Sequence, residues 1–285
     1  MLVDVIIFGT IWGAIYTILA LGFTLIFGVV RILNLAYGAI YMVASYMIYS
    51  LVSSLGVPAV PAWLLAVIAS GLIGVLLYIV FVYPMRDSLG RVLIVTAGIA
   101  IFLQEAAVLI YSTEPRYVPT LLHGSLPILG VRVTHQQILT LFAAAALVVL
   151  LHTILVRTRL GRELRAVAQD TEMAALMGIP VERAYLTAMV LSSALAGAAG
   201  ALVAPFLTVN PEMGWSPLLV AFTVVVLGGL GSLWGTIVAA FIVAYAENLT
   251  AFLISPQLRD VATFGIMIMT LVFRPHGLFG KGIAE

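Results

Sequence analysis

Long apolar runs alternate with short polar breaks along nearly the whole chain. The clearest runs are residues 5–30, 36–55, 63–83, 92–111, 138–156 and 184–208. A bilayer core offers no water to backbone groups, and runs of about 20 residues are too long for barrel strands, so each reads as a membrane-spanning helix. Residues 218–253 are long for one crossing and short for two, and the sequence G-G-L-G-S at 228–232 interrupts them. Two short helices joined by a break are expected there. Residues 261–273 form a further short apolar segment, tilted or partly buried. The pattern predicts an all-α, polytopic integral membrane protein with eight or nine transmembrane helices, some short or broken, in a single domain over residues 1–285.

One stretch departs from this rhythm. Residues 157–183 read R-T-R-L-G-R-E-L-R-A-V-A-Q-D-T-E-M-A-A-L-M-G-I-P-V-E-R and hold five of the thirteen basic residues. Apolar runs flank the stretch, so it lies outside the bilayer, yet its content is helical. Leu164, Val167 and Ala168 recur at helical spacing. Asp170 suits an N-cap, with Glu172 in the first turn, and Gly178 followed by Pro180 is a stop signal. Two short helices meeting near Asp170 would form a compact knob for a cytoplasmic partner to grip. An amphipathic helix lying on the lipid surface is the plainer alternative.

Composition agrees with the pattern. Charged residues make up 9% and apolar residues 63%, a balance that cannot cover a water-facing surface. No basic region opens the first run, so it is expected to be retained rather than cleaved as a signal peptide. With the first residues outside, Arg31, Arg86, Arg91, the five arginines of the polar stretch, Arg274 and Lys281 fall in the cytoplasm, ten of thirteen basic residues. The positive-inside rule favours that orientation. The long outer connection at 112–137 is rich in proline and glycine, which oppose a continuous helix, and is expected to cap the outer mouth. Net charge of +1 gives no reason to expect a nucleic-acid partner.

Catalytic chemistry finds no foothold. Cysteine is absent, and the four histidines, His123, His135, His152 and His276, lack helical pairing, so neither a thiolate site nor a zinc motif is predicted. The sole lysine, Lys281, precedes Gly282, so no phosphate-binding loop of the usual kind exists. No cofactor is expected on this chain, and ATP, if used, is bound by separate subunits.

Here a resemblance becomes specific. Residues 172–178, E-M-A-A-L-M-G, resemble the EAA-x-x-x-G coupling loop of ABC importer permeases. The wider stretch is similar to the branched-chain amino acid (Liv-type, LivH-like) version, with Gly161, Arg162, Leu164, Arg165, Ala166, Ala168, Asp170, Ala174, Gly178 and Ile179 at matching places. The segments at 28–38, 225–235 and 273–280 agree with the same family, although Tyr37 stands where His or Gln is more familiar. The resemblance implies a bacterial inner-membrane permease for branched-chain or other hydrophobic amino acids. It also implies partners: cytoplasmic ATP-binding subunits, a second permease subunit (LivM-like or a second copy) and a periplasmic substrate-binding protein, all set in a lipid bilayer. Coupling residues would be Gly161, Arg162, Arg165, Asp170, Glu172, Ala174, Gly178 and Ile179. A urea or short-amide permease is the nearest rival, and an ion-coupled secondary transporter the rival of another class.

Polar groups inside the runs are candidates for the path. Glu105, beside Gln104, is the only acid well inside an otherwise apolar run. Ionised at the bilayer centre it would cost about 2.5–3.5 kcal/mol, so it should face protein or water, lining the path or bonding another helix. Asn34, also a path candidate, and the pair Glu247–Asn248 sit near run ends, where interfacial solvation is the plainer explanation. Gly228, Gly229 and Gly231 allow a break at membrane depth that would line the path. Ser192, Ser193, Gly197 and Gly200 form a small-residue face suited to helix packing.

Overall fold

The computed structural model describes residues 2–86, 88–120, 122, 124–128, 130–274 and 276–279. Within them the apolar runs are helices: α1 (Leu2–Leu25), α2 (Ala36–Tyr49), α3 (Ala59–Leu77), α4 (Leu89–Tyr111), α5 (His135–Arg157), α8 (Val181–Val203), α9 (Trp215–Gly228), α10 (Leu233–Leu253) and α11 (Arg259–Phe273). The polar stretch forms α6 (Arg159–Gln169) and α7 (Thr171–Leu176). Helices α1, α2 and α3 each widen into one π-type turn, at Ile26–Val30, Ser50–Ser54 and Tyr78–Val82. Among the described residues, seven helices are long and apolar enough to cross a membrane, and α9 is a shorter apolar one. The chain is a multi-pass membrane protein.

The expected pair of short helices is only half right. α10 has 21 residues and α9 has 14, because the break falls early. Ser232 accepts a hydrogen bond from the Gly235 N–H at 3.1 Å and starts α10 at once. At 1.5 Å per residue α9 reaches about 21 Å, short of a full crossing.

Burial separates a centre from a rim. The most apolar stretch of α1 is 83% buried and that of α8 is 72% buried, against 17% for α4. Helices apolar on every side suit either place, so small residues decide which ones pack. α1 runs antiparallel to α10, with Gly9 against Tyr245 and Gly13 against Phe241. α8 meets α3 where Gly197 faces Ser70 and Gly74 faces Ser193. It meets α2 where the Ser45 hydroxyl donates to the Gly200 carbonyl at 3.0 Å. The small-residue face of α8 therefore packs helices, as expected.

The outer connection holds a hairpin that the sequence reading missed. β1 (Ser125–Ile128) pairs antiparallel with β2 (Val131–Thr134), and Thr134 with Gln137 closes a capping box on α5. Arg116 pairs with Val209 through two backbone bonds of 2.8 and 2.9 Å, fastening this connection to the loop after α8.

Candidate functional site

Two polar regions sit at opposite ends of the bundle. The first is the knob. Thr158 caps α6 by accepting from the Gly161 N–H at 3.1 Å, and Asp170 caps α7 by accepting from the Met173 N–H at 2.9 Å. Gly178 ends α7 at φ 80°, the left-handed region that glycine fills without strain. A side chain at Gly161 would strike the carbonyl oxygens of Ile154 and Leu155, so glycine lets α6 fold back tightly on α5. Leu164, Val167 and Ala174 are buried beneath the knob. Arg162, Arg165, Asp170, Glu172 and Gly178 are exposed, and Ile179 is half-buried. Three large apolar side chains also stand in the open, Met173, Leu176 and Met177, at 56%, 81% and 77% exposure. This mixed surface is not that of a helix laid flat on lipid, because its apolar tip and its buried face point different ways.

Behind the knob lies a cavity of about 460 Å³ lined by Gly28, Arg31, Arg165, Gln169 and Gly231. Arg31, itself left-handed at φ 58°, reaches the Ala168 carbonyl at 3.5 Å. The glycine break after α9 thus lies beside α6, toward the side that the charge rule makes cytoplasmic. Gly228 and Gly229 are buried against Gly235 and Gly277, and only Gly231 opens to this cavity.

The second region occupies the outer half. Glu247 of α10 is 3% exposed; it accepts from the Tyr16 hydroxyl at 2.6 Å and from the Thr263 hydroxyl. The carboxylate faces a cavity of about 270 Å³ that also holds Arg259, Asp260 and Asn210. Interfacial solvation is therefore the wrong account of Glu247, of Asn248 at 2% exposure and of Asn34 at 0%. Glu247 is satisfied by protein hydroxyls. Asn248 donates to the Ala244 carbonyl at 2.8 Å. Asn34 starts α2 by accepting from the Ala36 N–H at 3.0 Å, while its amide nitrogen stays buried without a partner among the described residues.

Gln104 and Glu105 part company. The Gln104 carbonyl accepts from the Trp215 indole at 2.8 Å. Glu105 points away from the bundle on the face of α4 that carries Ile101, Phe102 and Leu109, all exposed. It does not face the interior of this chain.

The branched-chain amino acid transport system permease component model matches residues 5–271. The chain belongs to this family. The permease is 33% identical to the high-affinity branched-chain amino acid permease protein BraD of Pseudomonas aeruginosa, over 96% of this chain and 94% of that one. It is 31% identical to LivH of Escherichia coli, over 97% and 95% of the two chains. LivM of Escherichia coli matches at 30% identity over 50% of this chain and 35% of its own length. Among solved structures, PsaBC from Streptococcus pneumoniae in complex with Fab aligns with a TM-score of 0.54 at 14% identity, over 95% of this chain and 92% of that one. That likeness is one of fold.

The permease's family-like segments now have physical reasons. The segment at 273–280 supplies the Leu278 and Phe279 N–H groups, which donate to the Leu227 and Gly228 carbonyls at 2.7 and 3.2 Å. They satisfy the free end of α9; Pro275 and Gly280 lie outside the described residues, as does Lys281. Tyr37 is fully buried and donates to the Leu19 carbonyl at 2.7 Å, so it fastens α2 to α1. Thr263 and Arg259 were missed as site residues, since nothing local marks α11 side chains that meet α1 and α10 across the bundle.

Proposed function

We propose that this permease is the membrane subunit of an ATP-driven importer of branched-chain or other hydrophobic amino acids in a bacterial inner membrane. Separate cytoplasmic subunits bind the ATP, a second permease subunit completes the path and a periplasmic binding protein delivers substrate. The observation that carries this reading is the knob: a capped, anchored helix pair with an exposed apolar tip, joined to the break at Arg31 and facing the break at Gly231 across a shared cavity. Met173, Leu176 and Met177 offer apolar surface to a groove on the ATPase, and Arg162, Arg165, Asp170 and Glu172 give it a charged rim. Buried Leu164, Val167 and Ala174 make the knob stiff, so a push on its tip is delivered to Arg31 and Gly231 rather than absorbed. Those breaks are where α1 and α9 can change direction while the rest of each helix keeps its hydrogen bonds.

The test is reconstitution. Alone in liposomes the permease should accumulate no leucine, with or without a proton or sodium gradient. Adding the ATPases, the second permease and the loaded binding protein should restore ATP-dependent uptake. Gradient-driven accumulation by the isolated chain would establish a secondary transporter instead. ATP-dependent uptake of urea but not leucine would keep the machine and change its cargo.

A further inference from the structure

The outer cavity has a mixed lining. Trp12, Ile15, Leu19, Met213 and Val220 give it apolar lining; Glu247, Arg259 and Asp260 bring charge of both signs. Its volume, about 270 Å³, is far beyond the roughly 10–15 Å³ that one water needs. Tyr16 and Thr263 hold Glu247 in place, but a carboxylate has about four acceptor positions, so capacity remains. The Arg259 Nε is buried without a hydrogen-bond partner among the described residues. Tyr41, 1% exposed, lines the same cavity, and its hydroxyl has no partner among the described residues. Asp260, at the exposed edge of the cavity, accepts from the Ser216 hydroxyl at 3.3 Å.

Buried donors and acceptors left without partners are costly, and a charged pair formed away from bulk water is strong. The missing partner must therefore bring both signs of charge. A metal or inorganic cation would satisfy the carboxylates and leave Arg259 facing like charge. Urea would use neither charge and would leave the apolar lining wet. A free amino acid carries an ammonium, a carboxylate and, in the apolar class, a side chain for the apolar lining.

We propose that this cavity is a transit subsite for a zwitterionic amino acid with an apolar side chain, its ammonium against Glu247 and Asp260 and its carboxylate against Arg259. The assignment rests on the import reading and adds a place within this one subunit where the cargo is recognised.

The chain has no cysteine, so Thr208→Cys, on the cavity lining, gives it a single thiol. In the assembled importer, leucine at about twice its half-saturating concentration should slow alkylation of that thiol about threefold, by mass action. Leucinamide lacks the carboxylate and 4-methylpentanoate lacks the ammonium; neither should protect. Adding Arg259→Gln should abolish protection by leucine, with Glu247→Gln as the second variant should the first fail to assemble. Equal alkylation with and without leucine overturns the subsite, and protection by either analogue as strong as by leucine overturns the zwitterion assignment. Leucine accumulation by the unmodified complex, measured in parallel, judges the import reading separately, so one can fail while the other stands.

Discussion

Glu105 and Glu247 both sit inside apolar helices of this bundle, and the fold treats them in opposite ways. Glu247 is enclosed, with hydroxyls from α1 and α11 on its two oxygens. Glu105 stands on the outward face of α4 and makes no hydrogen bond or ion pair with any described residue. In water neither arrangement would be notable. In a bilayer an unpaired carboxylate is expensive, so the first is answered inside the chain and the second asks for something outside it. The contrast separates what folds this subunit from what assembles it.

The largest effect should come from Glu247→Leu. The Thr263 hydroxyl can fall back on the Arg259 carbonyl at 3.4 Å, but the Tyr16 hydroxyl has no such second acceptor. Leaving this half-buried hydroxyl unpaired costs about 1–2 kcal/mol, which should appear as lower membrane abundance and faster proteolysis of the permease. Abundance equal to the unaltered chain would mean that the cluster does not hold α1, α10 and α11 together.

Tyr16→Phe sharpens the comparison at smaller cost. It removes one hydrogen bond without orphaning a donor, and Glu247 keeps Thr263, so about 1 kcal/mol is expected. A thermal unfolding midpoint of the assembled importer lowered by only a few degrees would agree. Collapse as severe as that of Glu247→Leu would show Tyr16 to be the stronger partner.

The smallest loss to the chain itself should be that of Glu105→Leu, because the side chain makes no hydrogen bond or ion pair with a described residue and its removal lifts the cost of an unpaired carboxylate. Membrane abundance should stay unchanged. On the import reading the second permease subunit covers α4, so co-purification of the two should weaken. Loss of the chain itself would place Glu105 in its own fold and erase the contrast.

Much of this architecture was legible from local pattern. The spans follow from run length, and the knob from Asp170, Gly178 and the spacing of Leu164, Val167 and Ala168. What escaped was long-range. Glu247 lies near the end of its apolar run, so interfacial water looked sufficient; its partners are Tyr16, 231 positions away, and Thr263 on the next helix. Glu105 looked like an interior group because hydropathy reports depth and not direction around the helix. The glycines at 228–231 signalled a break correctly, yet their depth depends on α9 starting at Trp215, which no residue there announces. The hairpin had a faint signal in V-R-V-T after Gly130, outweighed by the surrounding prolines.

The backbone bonds from Leu278 and Phe279 to the end of α9 carry a consequence in time. Those two residues are synthesised roughly fifty positions after Gly228, about 3–10 s later at ordinary translation rates. Through that interval α9 has been made but its last carbonyls lack the donors that complete them, and α10 and α11 must be threaded while it waits. A helix too short to cross alone thus becomes a late step in biogenesis, closed by a clasp from downstream. Ribosome stalling between α10 and residue 277 should leave α9 accessible to water-soluble reagents that cannot reach it in the finished protein.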